Sequence, residues 1–276
     1  MSGVPREFVF TRFPARQGMV WLAAAYVMFK THRLAWSVLV VTYFLMLLAL
    51  SLVPFIGPFT AALLKPVFAV GLLAAAWTAE RGGRPAFVQL FQGFRSNLWP
   101  LLAIGVVFIV AVTLVVVLST LIDGGRLNDF RAGYATMSDA QIIAALSDPQ
   151  LQLGTAFSAL LSLWVEIFAW WAVALVVFQE ASAGGAMATS LRAARANWRP
   201  LALYCVGVFF YGGVVPSIMI VLVALVAPAS AAQFLATVLL VPYWIFFAAT
   251  LHVSFYVSYR DVFHAGETLA PLTAGG

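Results

Sequence analysis

Two charged side chains stand deep inside apolar runs of this sequence, Lys65 within 59–78 and Glu166 within 155–178. A charge in membrane hydrocarbon is expensive unless it meets an opposite charge or water. Lys65 lies fifteen residues before Glu80, and Glu166 lies fourteen before Glu180. This matching register puts ammonium and carboxylate at nearly the same depth and predicts an intramembrane ion pair between Lys65 and Glu166. Such a pair serves either as a clamp between helices or as a gate or proton-coupled site. Lys65 is also only about 10 Å along its helix from the outer end, at roughly 1.5 Å per residue, so its ammonium has a second route outward along the apolar stem.

Other reactive side chains are sparse. Trp164, Phe168, Trp170 and Trp171 surround Glu166, a set that either stacks a ligand or fills helix contacts. His252 stands in an apolar run without a carboxylate at ligand spacing and reads as a hydrogen-bonded packing residue. Cys205 is the only cysteine, so no intramolecular disulfide or cysteine metal site is expected. There is no phosphate-cradling glycine loop, paired-histidine zinc motif, G-x-S-x-G elbow or cysteine cluster. No cofactor, metal or enzymatic activity is therefore expected.

The elements that must position these residues are membrane spans. Of 276 residues, 63% are hydrophobic and 9% charged, against roughly a quarter charged in soluble domains. Six runs, 34–53, 59–78, 98–121, 155–178, 201–226 and 234–259, reach the roughly 20 residues needed to cross a bilayer core. Tight breaker clusters, Pro54 to Pro58 and Ala227 to Ser230, join the first and last pairs as hairpins. Pro66, Pro216 and Pro242 interrupt spans and free backbone carbonyls. Twelve of the fifteen Lys and Arg residues fall on one side, whereas the other side carries Arg126 and Arg131 among four aspartates. The positive-inside rule makes the basic side cytoplasmic, with both termini there, in a bacterial inner (plasma) membrane. The net charge of +5 thus records topology, and no nucleic-acid partner is expected. The basic N-terminal stretch ahead of Met19 to Phe29 superficially resembles a signal peptide, but Lys30, His32 and Arg33 replace a cleavage site and predict no processing.

The chain also repeats internally. At an offset of 100, Glu80, Arg95, Asn97 and Pro100 fall on Glu180, Arg195, Asn197 and Pro200; at 65, Lys30, His32 and Ala35 fall more weakly on Arg95, Asn97 and Pro100. The unit is a short interfacial helix followed by an outbound and an inbound span. The expected fold is therefore an all-α membrane protein, 1–276 as one domain, with three pseudo-repeated parallel hairpins. Interfacial helices are expected over 15–30, 86–95 and 186–195, with Phe87, Phe91 and Phe94 forming the apolar stripe of the second. Segment 123–154 is an extracytoplasmic loop in which Ser138 to Gln141 signals a capped short helix, and 261–276 is a cytoplasmic tail. Trp36, Trp77, Trp99 and Trp198 read as interfacial anchors.

Gly18-Met-Val-Trp21, Pro54-Phe-Ile-Gly57-Pro58, Pro66, Gly71-Leu-Leu, Arg81-Gly82-Gly83-Arg84 and Leu90-Phe-Gln-Gly93-Phe94 carry a resemblance strongest over about the first 100 residues. The chain resembles an uncharacterised bacterial family of six-span inner-membrane proteins, similar in pattern to the membrane domain fused to some glycerophosphodiester phosphodiesterases. The resemblance implies a six-helix membrane domain and carries over no active site, because the catalytic phosphodiesterase domain is absent from this sequence. Two functions remain open: a non-enzymatic accessory, assembly or lipid-organising module, or a small-molecule or ion transporter that uses Lys65 and Glu166. The partners expected are the lipid bilayer and a membrane protein.

Overall fold

The computed structural model of the protein describes residues 9–265, which are all-helical. The elements are α1 (Gln17–Thr31), α2 (Arg33–Ser51), α3 (Gly57–Glu80), a 3-10 helix (Phe87–Arg95), α4 (Leu98–Asp123), α5 (Arg126–Gly133), α6 (Asp139–Leu146), α7 (Pro149–Ala169), α8 (Ala172–Phe178), α9 (Ala183–Ala196), α10 (Trp198–Phe209), α11 (Val215–Val226) and α12 (Ala229–Phe263). Among the described residues six stretches are long and apolar enough to cross a membrane: α2, α3, α4, α7 with α8, α10 with α11, and α12. The tail expected over 261–276 is helical to Phe263, and 266–276 lie outside the described residues.

The short helices close the bundle at one face. The 3-10 helix packs on α3 and α2, α9 on α8 and α4, and α1 on α12 and α10, so each rests on the two spans before it, cyclically. Close approach fixes these contacts. A Cβ on Gly93 would collide with the Val67 carbonyl, and Leu90 and Gly93, three residues apart, form the buried edge of the 3-10 helix. That period turns Phe91 and Phe94 toward the surface, both still touching the Phe68 ring, while Phe87 is exposed at the first residue of the helix.

Polar side chains tie the segment before α1 and the last turn of α12 into this face. Buried Asn197 accepts from the Phe13 N–H through Oδ1 at 2.9 Å and donates through Nδ2 to the Thr11 and Ala193 carbonyls. The Thr11 N–H donates to the Val262 carbonyl at 2.8 Å. Asp261 accepts from Gln17 and from the Trp21 indole, and Arg260 joins Asp261 to Glu80, which also accepts from the Tyr256 hydroxyl. Trp21, Trp171, Tyr204 and Tyr259 fill the core beneath. Trp36 is also fully buried, whereas Trp99 and Trp198 are largely exposed.

At the opposite face, Gly124 and Gly125 end α4 in left-handed conformations that glycine adopts without a Cβ clash. Buried Asp123 then accepts from the Gly125 and Leu127 N–H groups and pins the start of α5. Ser138 and Gln141 cap α6 reciprocally, and Asp148 caps α7 while pairing with Arg126.

Two spans are interrupted. Between α7 and α8 the Trp171 N–H leaves the helical ladder and donates to Ser190 Oγ of α9 at 3.1 Å, while the Trp170 and Trp171 indoles both donate to Ser258 Oγ of α12. Between α10 and α11 the helix widens into a π turn, Phe210–Val214, just before Pro216. In a π turn the Tyr211 carbonyl would accept from residue 216, but proline has no N–H. The Tyr243 hydroxyl of α12 donates to that carbonyl instead.

Candidate functional site

Residues from all six spans wall one cavity of about 660 Å³. Its size falls within the roughly 300–1,000 Å³ of small-molecule sites, and its walls are mostly apolar, the usual character of such sites. The helix interruptions border it: Ala169 and Trp170 line it beside the break in the fourth span, and Phe209 lines it at the π turn. These discontinuities give the wall bends that straight helices lack.

Each return span contributes an ionisable side chain to the lining: Lys65 from α3, Glu166 from α7 and His252 from α12. Lys65 Nζ donates to Glu166 Oε1 at 3.3 Å, joining α3 to α7, and stands 5.5 Å from the centre of the Phe108 ring on α4. The two charged side chains are 49% and 46% exposed, because they face open space on both sides. Pro66, next in sequence, has no N–H and leaves the Ala62 carbonyl without its usual helical donor.

His252 Nδ1 lies 2.7 Å from the Ala248 carbonyl, which only accepts, so Nδ1 carries the proton in this contact. In the neutral ring Nε2 is then an acceptor. The Tyr43 ring packs edge-on against His252 at 5.3 Å, and the Tyr43 side chain is 2% exposed while its hydroxyl has no hydrogen-bond partner among the described residues. Tyr204 donates to Ser254 at 2.6 Å, since Ser254 itself donates to the Leu251 carbonyl. The wall therefore offers an ammonium, a carboxylate, a phenol and an imidazole acceptor inside an apolar chamber.

A second, smaller cavity of about 310 Å³ lies between α3, α4 and α7 toward the α5–α6 face. Lys65, Phe108 and Glu166 line both cavities.

The aromatic run seen in sequence divides. Trp170 packs edge-on against Tyr204 and tilted against Phe255 on the cavity wall, Trp171 is buried below it, and Trp164 faces outward, 67% exposed. Tyr43, Phe108 and the cavity-lining role of His252 are additions from the structure. No repeat register singled out Tyr43 or Phe108, and only the presence of an ionisable group on the third return span pointed toward His252. Among the described residues no three His, Cys, Asp or Glu side chains cluster as a metal site.

No family model matches the chain, and no solved structure matches it. It is similar to a protein of Burkholderia thailandensis, named a probable inner membrane protein, with 29% identity over 261 residues covering 93% of this chain and 94% of that one. With the six apolar spans, this similarity places the chain among multi-pass inner-membrane proteins.

Proposed function

We propose that the protein is a non-enzymatic, lipid-organising module of the inner membrane whose axial cavity holds the apolar part of a zwitterionic amphiphile. One observation carries this reading: residues of all six spans line a mostly apolar cavity, open at its edge where Phe44 and Phe209 are exposed, whose charged lining is a single cation–anion pair. A ligand with a net charge would leave that charge uncompensated in a low-dielectric site, which is costly. A head bearing one ammonium and one phosphate or carboxylate instead meets Glu166 with the first and Lys65 with the second. The Tyr43 hydroxyl and His252 Nε2 supply a donor and an acceptor beside them.

In this reading the spans form three parallel pseudo-repeated hairpins, and both termini are cytoplasmic. The cyclic packing of the short helices supports the repeat, and eleven basic residues on the short-helix side, among the described residues, support the orientation. The lipid bilayer is the first partner; a membrane-protein partner would bind the outer surface of the same bundle.

A second reading is transport of the same ligand class. The interrupted fourth and fifth spans favour it, since transporter sites near mid-membrane are commonly built from discontinuous helices.

The test is gentle purification from native membranes followed by native mass spectrometry with lipid identification. Stoichiometric retention of a zwitterionic phospholipid such as phosphatidylethanolamine over anionic phosphatidylglycerol is expected, with loss on filling the chamber by Ala69→Trp or Ala174→Trp. Equal retention by the filled variants would overturn the proposal. Substrate-dependent flux in liposomes that disappears in Glu166→Gln, with folding intact, would promote the transport reading.

A further inference from the structure

We infer that Lys65, Glu166 and Phe108 form a movable partition between two chambers of one path through the bundle. The inference rests on the ligand-chamber reading of the larger cavity, and its test separates the two.

The chambers lie on opposite sides of the same three side chains. The inner chamber, about 660 Å³, reaches from this wall to Trp170, Tyr204 and His252 near the short-helix face. The outer chamber, about 310 Å³, runs from it to Pro58 and Phe59 at the first turn of α3 and to Ser162 on α7. The division is made by a 3.3 Å ion pair and by the Phe108 ring on which the Lys65 ammonium rests.

Side chains of this kind move without unfolding the bundle. Lys65 carries a flexible four-carbon stem, and its ammonium is held by two separable contacts made at once, with the Glu166 carboxylate and the Phe108 ring face. The half-exposure of both charged groups, 49% and 46%, follows from their position between two open spaces. The path is closed when the pair is made. It opens when a zwitterionic head replaces both partners at once, so that neither charge is left bare at mid-membrane. The Ala62 carbonyl, freed by Pro66 and lining the outer chamber, gives a displaced ammonium an acceptor on that side.

The chain contains its own reporter. Cys205 is the sole cysteine and lines the inner chamber only. A membrane-impermeant maleimide is applied to the protein in oriented vesicles from the face that carries Pro58 and Asp123. The wild type is expected to label slowly. Phe108→Ala and Glu166→Gln are expected to label at least about tenfold faster, the change that about 1.4 kcal/mol of lost closure gives. The charge-swapped Lys65→Glu with Glu166→Lys is expected to return to the slow rate, and Cys205→Ser provides the blank. If Phe108→Ala does not fold, Phe108→Leu and the charge swap carry the test.

Labelling of the wild type as fast as Phe108→Ala, or labelling that no variant accelerates, overturns the partition. Lipid retention measured on the same preparations separates the two proposals. Lost retention with the labelling barrier intact removes the ligand and keeps the partition; retained lipid with no barrier does the reverse.

Discussion

Reversing Lys65 to glutamate would set two carboxylates against each other where an ammonium and a carboxylate now meet at 3.3 Å. Two unit charges 4 Å apart interact by about 4 kcal/mol at an effective dielectric constant near 20. Both side chains are about half open, so solvent or headgroups screen them, and we expect the pair itself to contribute about 1 kcal/mol. Lys65→Glu and Glu166→Lys should each cost about 2 kcal/mol, because each leaves two like charges facing across the cavity wall. The double swap restores an opposite pair and should lie within about 1 kcal/mol of the wild type. The assay is a double-mutant cycle of unfolding in bicelles, with monodispersity checked for each variant. Costs that simply add would show that the two groups do not interact in the membrane, and the reading of the cavity wall as a paired site would fall with them.

Other consequences of the fold can be measured directly. Ser190→Ala removes the acceptor of the Trp171 N–H and should lower stability by about 1–3 kcal/mol, read by thermal unfolding. Gly93→Val drives a side chain into the Val67 carbonyl, so the 3-10 helix should lift from α3, detected as protease sensitivity confined to 84–97. Asp261→Ala removes the acceptor of Gln17 and Trp21 and should cost about 1–3 kcal/mol, read by thermal unfolding. A reporter fused after Gly276 is expected in the cytoplasm, and an extracytoplasmic signal would overturn the proposed orientation.

The six spans could be read from the sequence because run length and apolarity are properties of each segment alone. Leu98–Asp123 and its neighbours need no partner to be recognised. The register that matched Lys65 with Glu166 came from the repeat and not from any local motif. The break at Trp170 and Trp171 left no such trace. No glycine or proline stands there, and what stabilises it is a pair of serines, Ser190 and Ser258, distant in the chain. The π turn had a clearer signal in Gly212, Gly213 and Pro216, although its satisfied carbonyl depends on Tyr243 from another span. The second short helix was visible as an amphipathic stretch, yet its 3-10 period follows from how closely Gly93 must approach α3. The cavity belongs to this same class of feature. Tyr43 and Phe108 are ordinary apolar-run residues until six helices converge on them.

Closure of the ring by α1 has a consequence for how the protein is made. Helix α1 is synthesised before the α10 and α12 helices on which it packs, and the segment before it is held by Asn197 and the Val262 carbonyl. The Asn197 site lies 184 residues beyond Phe13, and the Asp261 site on α12 lies 244 residues beyond Gln17. Helix α1 must therefore wait at the membrane surface for α10 and α12, and its docking is a long-range event late in the assembly of this bundle.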